Sequence, residues 1–395
     1  MKLSQRISVV GASETLAITA KANELKAQGI DVVGFGAGEP DFDTPQFIKD
    51  ACKAALDAGD TKYGPRQGAK LCQAIADKLA RENDVHVQAD QVVVTFGGKH
   101  ALFDLCQVLL DPGDKVIIPA PYWVSYVEMV KLAGGQNVIV HAGVENNFKI
   151  TPDQLRQAAK GAKVLILNSP SNPTGVTYTP AELKALADVV LETDLIVISD
   201  EIYEKLIYGD TKFVSFAALD PRLAERTITV NGLAKTYSMT GWRLGWAAGP
   251  KDVIGAVKRL MSHETTNPVS FAQAGALAAY TSPEAPATVE KMRQEFERRG
   301  RHMARRLNEI PGFTCVEPTG AFYCFPDVSA HYGKTLGGIE VKNSADFSNA
   351  AISAANVAVV PGGAFGDDKC IRLSFATSLE QIDKGIDRLA KLVGG

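Results

Sequence analysis

The feature that most restricts the fold is a series of short apolar runs in the middle of the chain. They are "QVVVTF" (91–96), "KVIIP" (115–119), "KVLILN" (163–168), "LIVISD" (195–200), "RTITVN" (226–231) and "LGWAAG" (244–249). Several are apolar on consecutive residues, so neither face of the strand can meet water. That pattern belongs to a parallel sheet covered by helices on both sides. Amphipathic stretches between the runs supply the helices. Among them are "ALFDLCQVLL" and "TPAELKALADVVLE", the second with Thr179 as N-cap and Pro180 in the first helical position. The alternation predicts an α/β fold of βαβ units around a mainly parallel sheet.

The pattern changes at Ser282. "SPEAPATVEKMRQEFERRGRHMARRLNEIPG" carries apolar residues at Val289, Met292, Phe296, Met303, Leu307 and Ile310, a helical spacing that Pro311-Gly312 ends. Short strands then follow in "AFYCFPDV", "VAVVPG" and "CIRLSFA", with a last helix after them. The 395 residues leave room for two bodies. The expected division is an N-terminal arm and part of a small domain (1–45), a large domain (46–285), and a bridging helix with the rest of a small α+β domain (286–395).

A net charge of -3 gives no reason to expect nucleic acid or an anionic membrane as partner. The start, "MKLSQRISVV", lacks the apolar segment and cleavage site of a secretory signal, and no apolar run is long enough to span a bilayer. A cytoplasmic protein is expected. The six cysteines form no CxxC pair and the six histidines show no metal-ligand spacing, so neither a disulfide framework nor a metal site is expected.

Several strand ends carry residues suited to chemistry. The run "VVVTFGGKHALFDL" passes from strand through Gly97-Gly98 into a helix, so free N–H groups and the positive helix end can meet an anion. The spacing is not that of a Walker loop, and "GFGAGEP" is not a dinucleotide fingerprint. Asp200 ends "LIVISD", with Tyr203 close behind; taken alone, such an acid is equally a helix cap. "LNSPSNPTG" holds Asn172 in ordinary turn chemistry. Lys235 follows another apolar strand, where lost hydration would lower its pKa and free a nucleophilic amine. Arg243 offers a rigid fork for phosphate or carboxylate. Each residue alone has a plain structural use. Together, an imine-forming lysine, an acid for a pyridinium nitrogen and a phosphate cup describe a pyridoxal 5′-phosphate site.

Seven ordered motifs carry a resemblance over nearly the whole chain: "GAGEPDFDTP", "GGKHAL", "APYWVSY", "SNPTG", "SDEIYEKLIY", "AKTYSMTGWRLGWAAGP" and "VVPGGAFG" with "IRLSFA". They resemble the class I pyridoxal-phosphate-dependent aminotransferases of fold type I, in the bacterial aspartate aminotransferase branch. The resemblance implies a seven-stranded sheet, a homodimer with shared active sites, and reversible ping-pong transfer between an amino acid and a 2-oxo acid. Lys235 would hold the cofactor and then shuttle a proton, and Asp200 would pair with the ring nitrogen. Asn172 and Tyr203 would bond the phenolic oxygen, and Trp123 would stack on the ring. Gly98, Lys99 and Arg243 would hold the phosphate, with Tyr63 reaching it from the partner subunit. Arg372 and the Gly38 N–H would bind the substrate α-carboxylate.

Two departures stand out: "KYGPRQGAKLCQAI" around Tyr63 differs from the common family form, and Ala234 stands where many members have serine. Lys99, Ser13 and Thr15 match the positions at which this branch binds the distal carboxylate, favouring aspartate and glutamate. Prephenate or aromatic oxo acids are alternative substrates, and lyase chemistry on the same fold is a further one. A non-catalytic effector-binding domain is a rival from another class.

Overall fold

The computed structural model describes residues 1, 3–11, 14–63 and 68–394. Seven strands form its central sheet: β1 (Val92–Thr95), β2 (Lys115–Ala120), β3 (Gln136–His141), β4 (Val164–Asn168), β5 (Ile196–Asp200), β6 (Thr227–Gly232) and β7 (Gly245–Ala248). Their order is β1-β7-β6-β5-β4-β2-β3. Neighbours from β6 to β3 pair in parallel, and β7 runs antiparallel to both β1 and β6. Six of these strands coincide with the apolar runs. The seventh, β3, lies at the sheet edge and is only half-buried along "NVIV", so it lacks the continuous apolar signature of the others.

Side-chain alternation divides the sheet residues between two cores. Val116, Ile118, Val164, Ile166 and Ile198 pack with residues of helices Gly98–Leu109, Ser125–Leu132 and Lys251–Glu264. Ile117, Leu165, Leu167 and Val197 face the other way, toward helices Pro152–Ala158 and Pro180–Leu191. The latter helix starts as its sequence specifies. Glu182 N–H donates to Thr179 Oγ1 at 3.2 Å, and Thr179 N–H donates to the Glu182 carboxylate at 2.7 Å.

The long helix Ala285–Asn308 buries Met292, Phe296, Met303 and Leu307, the stripe its spacing predicts. Phe296, Met303 and Leu307 share one apolar cluster with Phe347, Leu373 and Ile386. Val33 and Phe35 belong to the same cluster, because Val33–Gly34 pairs in parallel with Val357–Ala358. In the middle of that stripe, Arg299 is buried and pairs with Asp41 at 2.8 Å and Glu295 at 2.7 Å. The segment before the sheet is thus tied to the C-terminal third of the chain. Among the described residues no helix is long and apolar enough to cross a membrane.

One contact in the sheet bears on function. A Cβ at Gly245 would lie 2.3 Å from Gly98 N and 2.4 Å from Gly97 C, so β7 can approach the turn after β1 only because residue 245 has no side chain. Gly245→Ala is expected to cost about 1–3 kcal/mol of stability in urea unfolding, since backbone must move to admit the methyl. An unchanged midpoint would show that the turn is not packed as tightly as described.

Candidate active site

The carboxyl ends of β1, β4, β5 and β6 and the segment before β7 open onto one cavity of about 410 Å³. This is where open α/β sheets gather ligands. Its lining brings together Gly38, Gly98, Lys99, Trp123, Asn172, Asp200, Tyr203, Lys235, Arg243 and Arg372, and Thr15 joins them from helix Glu14–Ala27. Tyr63 does not join them: it is 94 % exposed and stands outside its own chain's cavity. Ser13 lies outside the described residues.

Lys235 follows β6 and donates to the Gly38 carbonyl at 2.5 Å. Lost hydration pulls its pKa down to about 8; Glu39 and Asp200 oppose that fall, while Arg372 and Arg243 add to it. Glu39 is held beside the site by the Thr240 hydroxyl, which donates to it at 2.8 Å. Asp200 ends β5 and is buried; burial pushes its pKa up to about 6, against the hydrogen bonds it accepts. The Tyr126 hydroxyl donates to it at 2.6 Å, and Ile202 N–H donates to its other oxygen at 3.2 Å. It is therefore ionised near neutral pH. The next residue, Glu201, anchors the loop by accepting from Ser199, Ser215 and Phe216 N–H.

The anion cradle forms where β1 runs into helix Gly98–Leu109. Gly97 caps that helix at φ 87° with no side-chain cap bond, so the first turn keeps free N–H groups. A Cβ at Gly97 would meet Arg243 Nη2 at 2.8 Å. Arg243 itself is held at φ 54°, a left-handed conformation uncommon for a residue with a side chain. Its guanidinium donates to Thr240 O at 2.8 Å, and no carboxylate among the described residues pairs with it. Lys99 Nζ sits 4.9 Å from the Trp123 ring centre, and partial burial with Arg243 nearby lowers its pKa.

Arg372 lines the same cavity from the strand Ile371–Ser374. It is 3 % exposed, between the rings of Tyr323 (4.6 Å) and Phe365 (5.0 Å). It donates to Asn172 Oδ1 at 3.0 Å and Gly36 O at 2.8 Å, while its Nε has no hydrogen-bond partner among the described residues. A buried guanidinium without a carboxylate is costly unless an anion comes to it.

Comparison with known proteins agrees with this geometry. The profile of the family described as aminotransferase class I and II matches residues 30–389. The chain belongs to that family. It is 51 % identical to the aspartate aminotransferase of Bacillus subtilis, covering 100 % of this chain and 99 % of the relative. It is 46 % identical to the aspartate/prephenate aminotransferase of Cereibacter sphaeroides, over 100 % and 99 % of the two chains. The solved aspartate aminotransferase of Thermus thermophilus with maleate superposes with a TM-score of 0.93 at 43 % identity, covering 99 % of this chain and 100 % of that one.

Two side chains of this candidate site are not singled out by the sequence. Tyr126, one helical turn after Trp123, is the donor that fixes Asp200. Tyr323 touches the Tyr203 hydroxyl at 2.9 Å while its ring faces Arg372. Both lie in apolar, aromatic segments where nothing distinguishes them from core residues; only the fold shows which hydroxyl meets which partner. The position of Lys235 yields a test. An aldehyde probe should attach to the cofactor-free protein at a rate that rises with pH and levels off near 8, because the neutral amine is the reactive form. A rate still rising toward the ordinary value of 10.5 would contradict its desolvation.

Proposed function

We propose that the chain is a pyridoxal 5′-phosphate-dependent aminotransferase acting on L-aspartate or L-glutamate and on 2-oxoglutarate or oxaloacetate. The observation that carries this reading is the pairing, in one cavity, of a desolvated lysine amine with a buried arginine that has no carboxylate partner among the described residues. The donor set fits each handle of the cofactor. The free first-turn N–H groups and Arg243 suit the phosphate, and ionised Asp200 suits a protonated ring nitrogen. Asn172 and Tyr203 would hold the phenolic oxygen, and Trp123 would cover a ring face.

When bound, pyridoxal phosphate supplies an aldehyde that condenses with amines and a ring that takes up the electron pair left by a departing proton. The chain's own residues supply the rest. Lys235 holds the cofactor in the resting protein. With substrate present, its Nζ would carry the proton between the substrate α-carbon and the cofactor's C4′ carbon, in opposite directions in the two half-reactions. Arg372 binds the α-carboxylate, and Asn172 Oδ1 holds its Nη1 while the Tyr323 and Phe365 rings keep water from the guanidinium. Tyr126 keeps Asp200 ionised and fixed in orientation.

Lys99 and Thr15 at the cavity wall support a second, distal carboxylate in the substrate, and the maleate in the Thermus structure is a dicarboxylate of that size. A second reading, with prephenate as acceptor, is favoured by the relative from Cereibacter sphaeroides. The exposed Tyr63, outside its own cavity, supports a homodimer in which it reaches the neighbouring subunit's phosphate. A cytoplasmic location belongs to the same proposal.

Aspartate, glutamate, tyrosine and kynurenine assayed against 2-oxoglutarate, oxaloacetate and prephenate test the reading, with elimination products followed in parallel. Aspartate with 2-oxoglutarate is expected to turn over, Lys235→Ala to lower turnover by more than about 10⁴-fold, and Arg372→Lys to lower kcat/KM by about 10- to 100-fold. No transfer with any pair, or elimination without transfer, would overturn it.

A further inference from the structure

Beside the cradle, on the covered side of the sheet, three ligand-type side chains converge outside the catalytic cavity. His100 and Asp104 lie one turn apart on helix Gly98–Leu109, and Glu264 ends the packed helix Lys251–Glu264. Their nearest ligand atoms all lie within 4.8 Å of one another. His100 Nε2 stands 3.5 Å from Asp104 Oδ2 and 3.2 Å from Glu264 Oε2. Ligands about 2.1 Å from one ion are separated by roughly 3.0–3.5 Å, so both gaps match edges of a single coordination sphere.

Asp104 supplies the independent reason to expect a cation. Its side chain is 0 % exposed, and neither carboxylate oxygen has a hydrogen-bond donor among the described residues. Glu264 places a second carboxylate beside it, which adds repulsion while both are ionised. Asp104 is buried and Glu264 partly exposed, and a cation between the two carboxylates would offset their repulsion. We propose that His100, Asp104 and Glu264 bind one divalent cation of the zinc or manganese class, joining the cradle helix to helix Lys251–Glu264. One imidazole and two carboxylates suit such ions better than the all-oxygen sets of calcium or magnesium.

Binding has one local cost. Phe96 N–H approaches His100 Nδ1 at 3.3 Å, so the ring must move its proton from Nε2 to Nδ1 and give up that long contact. Glu264, with a side chain 33 % exposed, leaves a solvent path by which the ion can enter and keep water ligands. Spacing along the sequence conceals the site, because its third ligand comes from a distant helix. The ion touches no residue of the catalytic cavity. It would stiffen the helix whose first turn forms the cradle, and ligands that bind only the folded state raise its thermal stability.

The test is titration of chelator-treated, dialysed holoenzyme with Zn²⁺, read by calorimetry and by thermal unfolding. One ion per chain and a rise in Tm are expected. Asp104→Asn, which keeps the side-chain volume, should weaken binding at least tenfold and remove the rise in Tm. Glu264→Gln, at a half-exposed position, should weaken binding as well and decides the matter if the Asp104 variant does not fold. No ion taken up by the unaltered protein, or one taken up with unchanged affinity by both variants, would overturn the site.

Discussion

The site depends on withholding water from one amine. Lys235 reaches the cavity from the end of β6, where strands on either side and the Phe322 ring at 5.7 Å replace the solvent that would keep it charged. Two arginines lower its proton affinity further, and the carboxylates of Glu39 and Asp200 hold the balance near pH 8 rather than below it. Take away the burial and the residue becomes an ordinary surface lysine, protonated and unreactive at neutral pH. The other groups of the site are arranged about that amine.

The sheet supplies that arrangement at small distances. Because β7 packs against the turn after β1 through Gly245, the arginine just before β7 lies against the bare helix start that follows β1. Because β4 and β5 pair in register from Val164 to Asn168, Asn168 stands beside Asp200 and donates to its backbone carbonyl at 2.9 Å. The charges differ in exposure as their uses require. Arg243 remains exposed at the mouth, where a phosphate could arrive, whereas Arg372 is enclosed by aromatic rings that make an unpaired guanidinium costly.

How far the sequence foretold this varies with the physics involved. Strands buried on both faces announce themselves, because apolar residues dominate both of their faces; β3, half-exposed at the edge, does not. Helix Pro180–Leu191 was legible from Thr179 and Pro180, since capping is local chemistry. Asp200, Lys235 and Arg243 stood out as charges in apolar runs. Tyr126 and Tyr323 did not stand out, because a tyrosine in an apolar segment reads as core until its hydroxyl's partner is known. The surroundings of Arg372 were equally hidden: that no carboxylate among the described residues pairs with it is a property of three dimensions, set by which strands and loops surround it. His100, Asp104 and Glu264 converge for the same reason, from two helices far apart in the chain.

In the proposed function one desolvated lysine, Lys235, holds the cofactor, and no other lysine does. Borohydride reduction of the purified protein loaded with pyridoxal phosphate, followed by peptide mass spectrometry, measures this directly. A single modified peptide bearing the reduced cofactor on Lys235 is expected. Label on Lys99, the other lysine of the cavity, or spread over surface lysines with Lys235 unmodified, would contradict it.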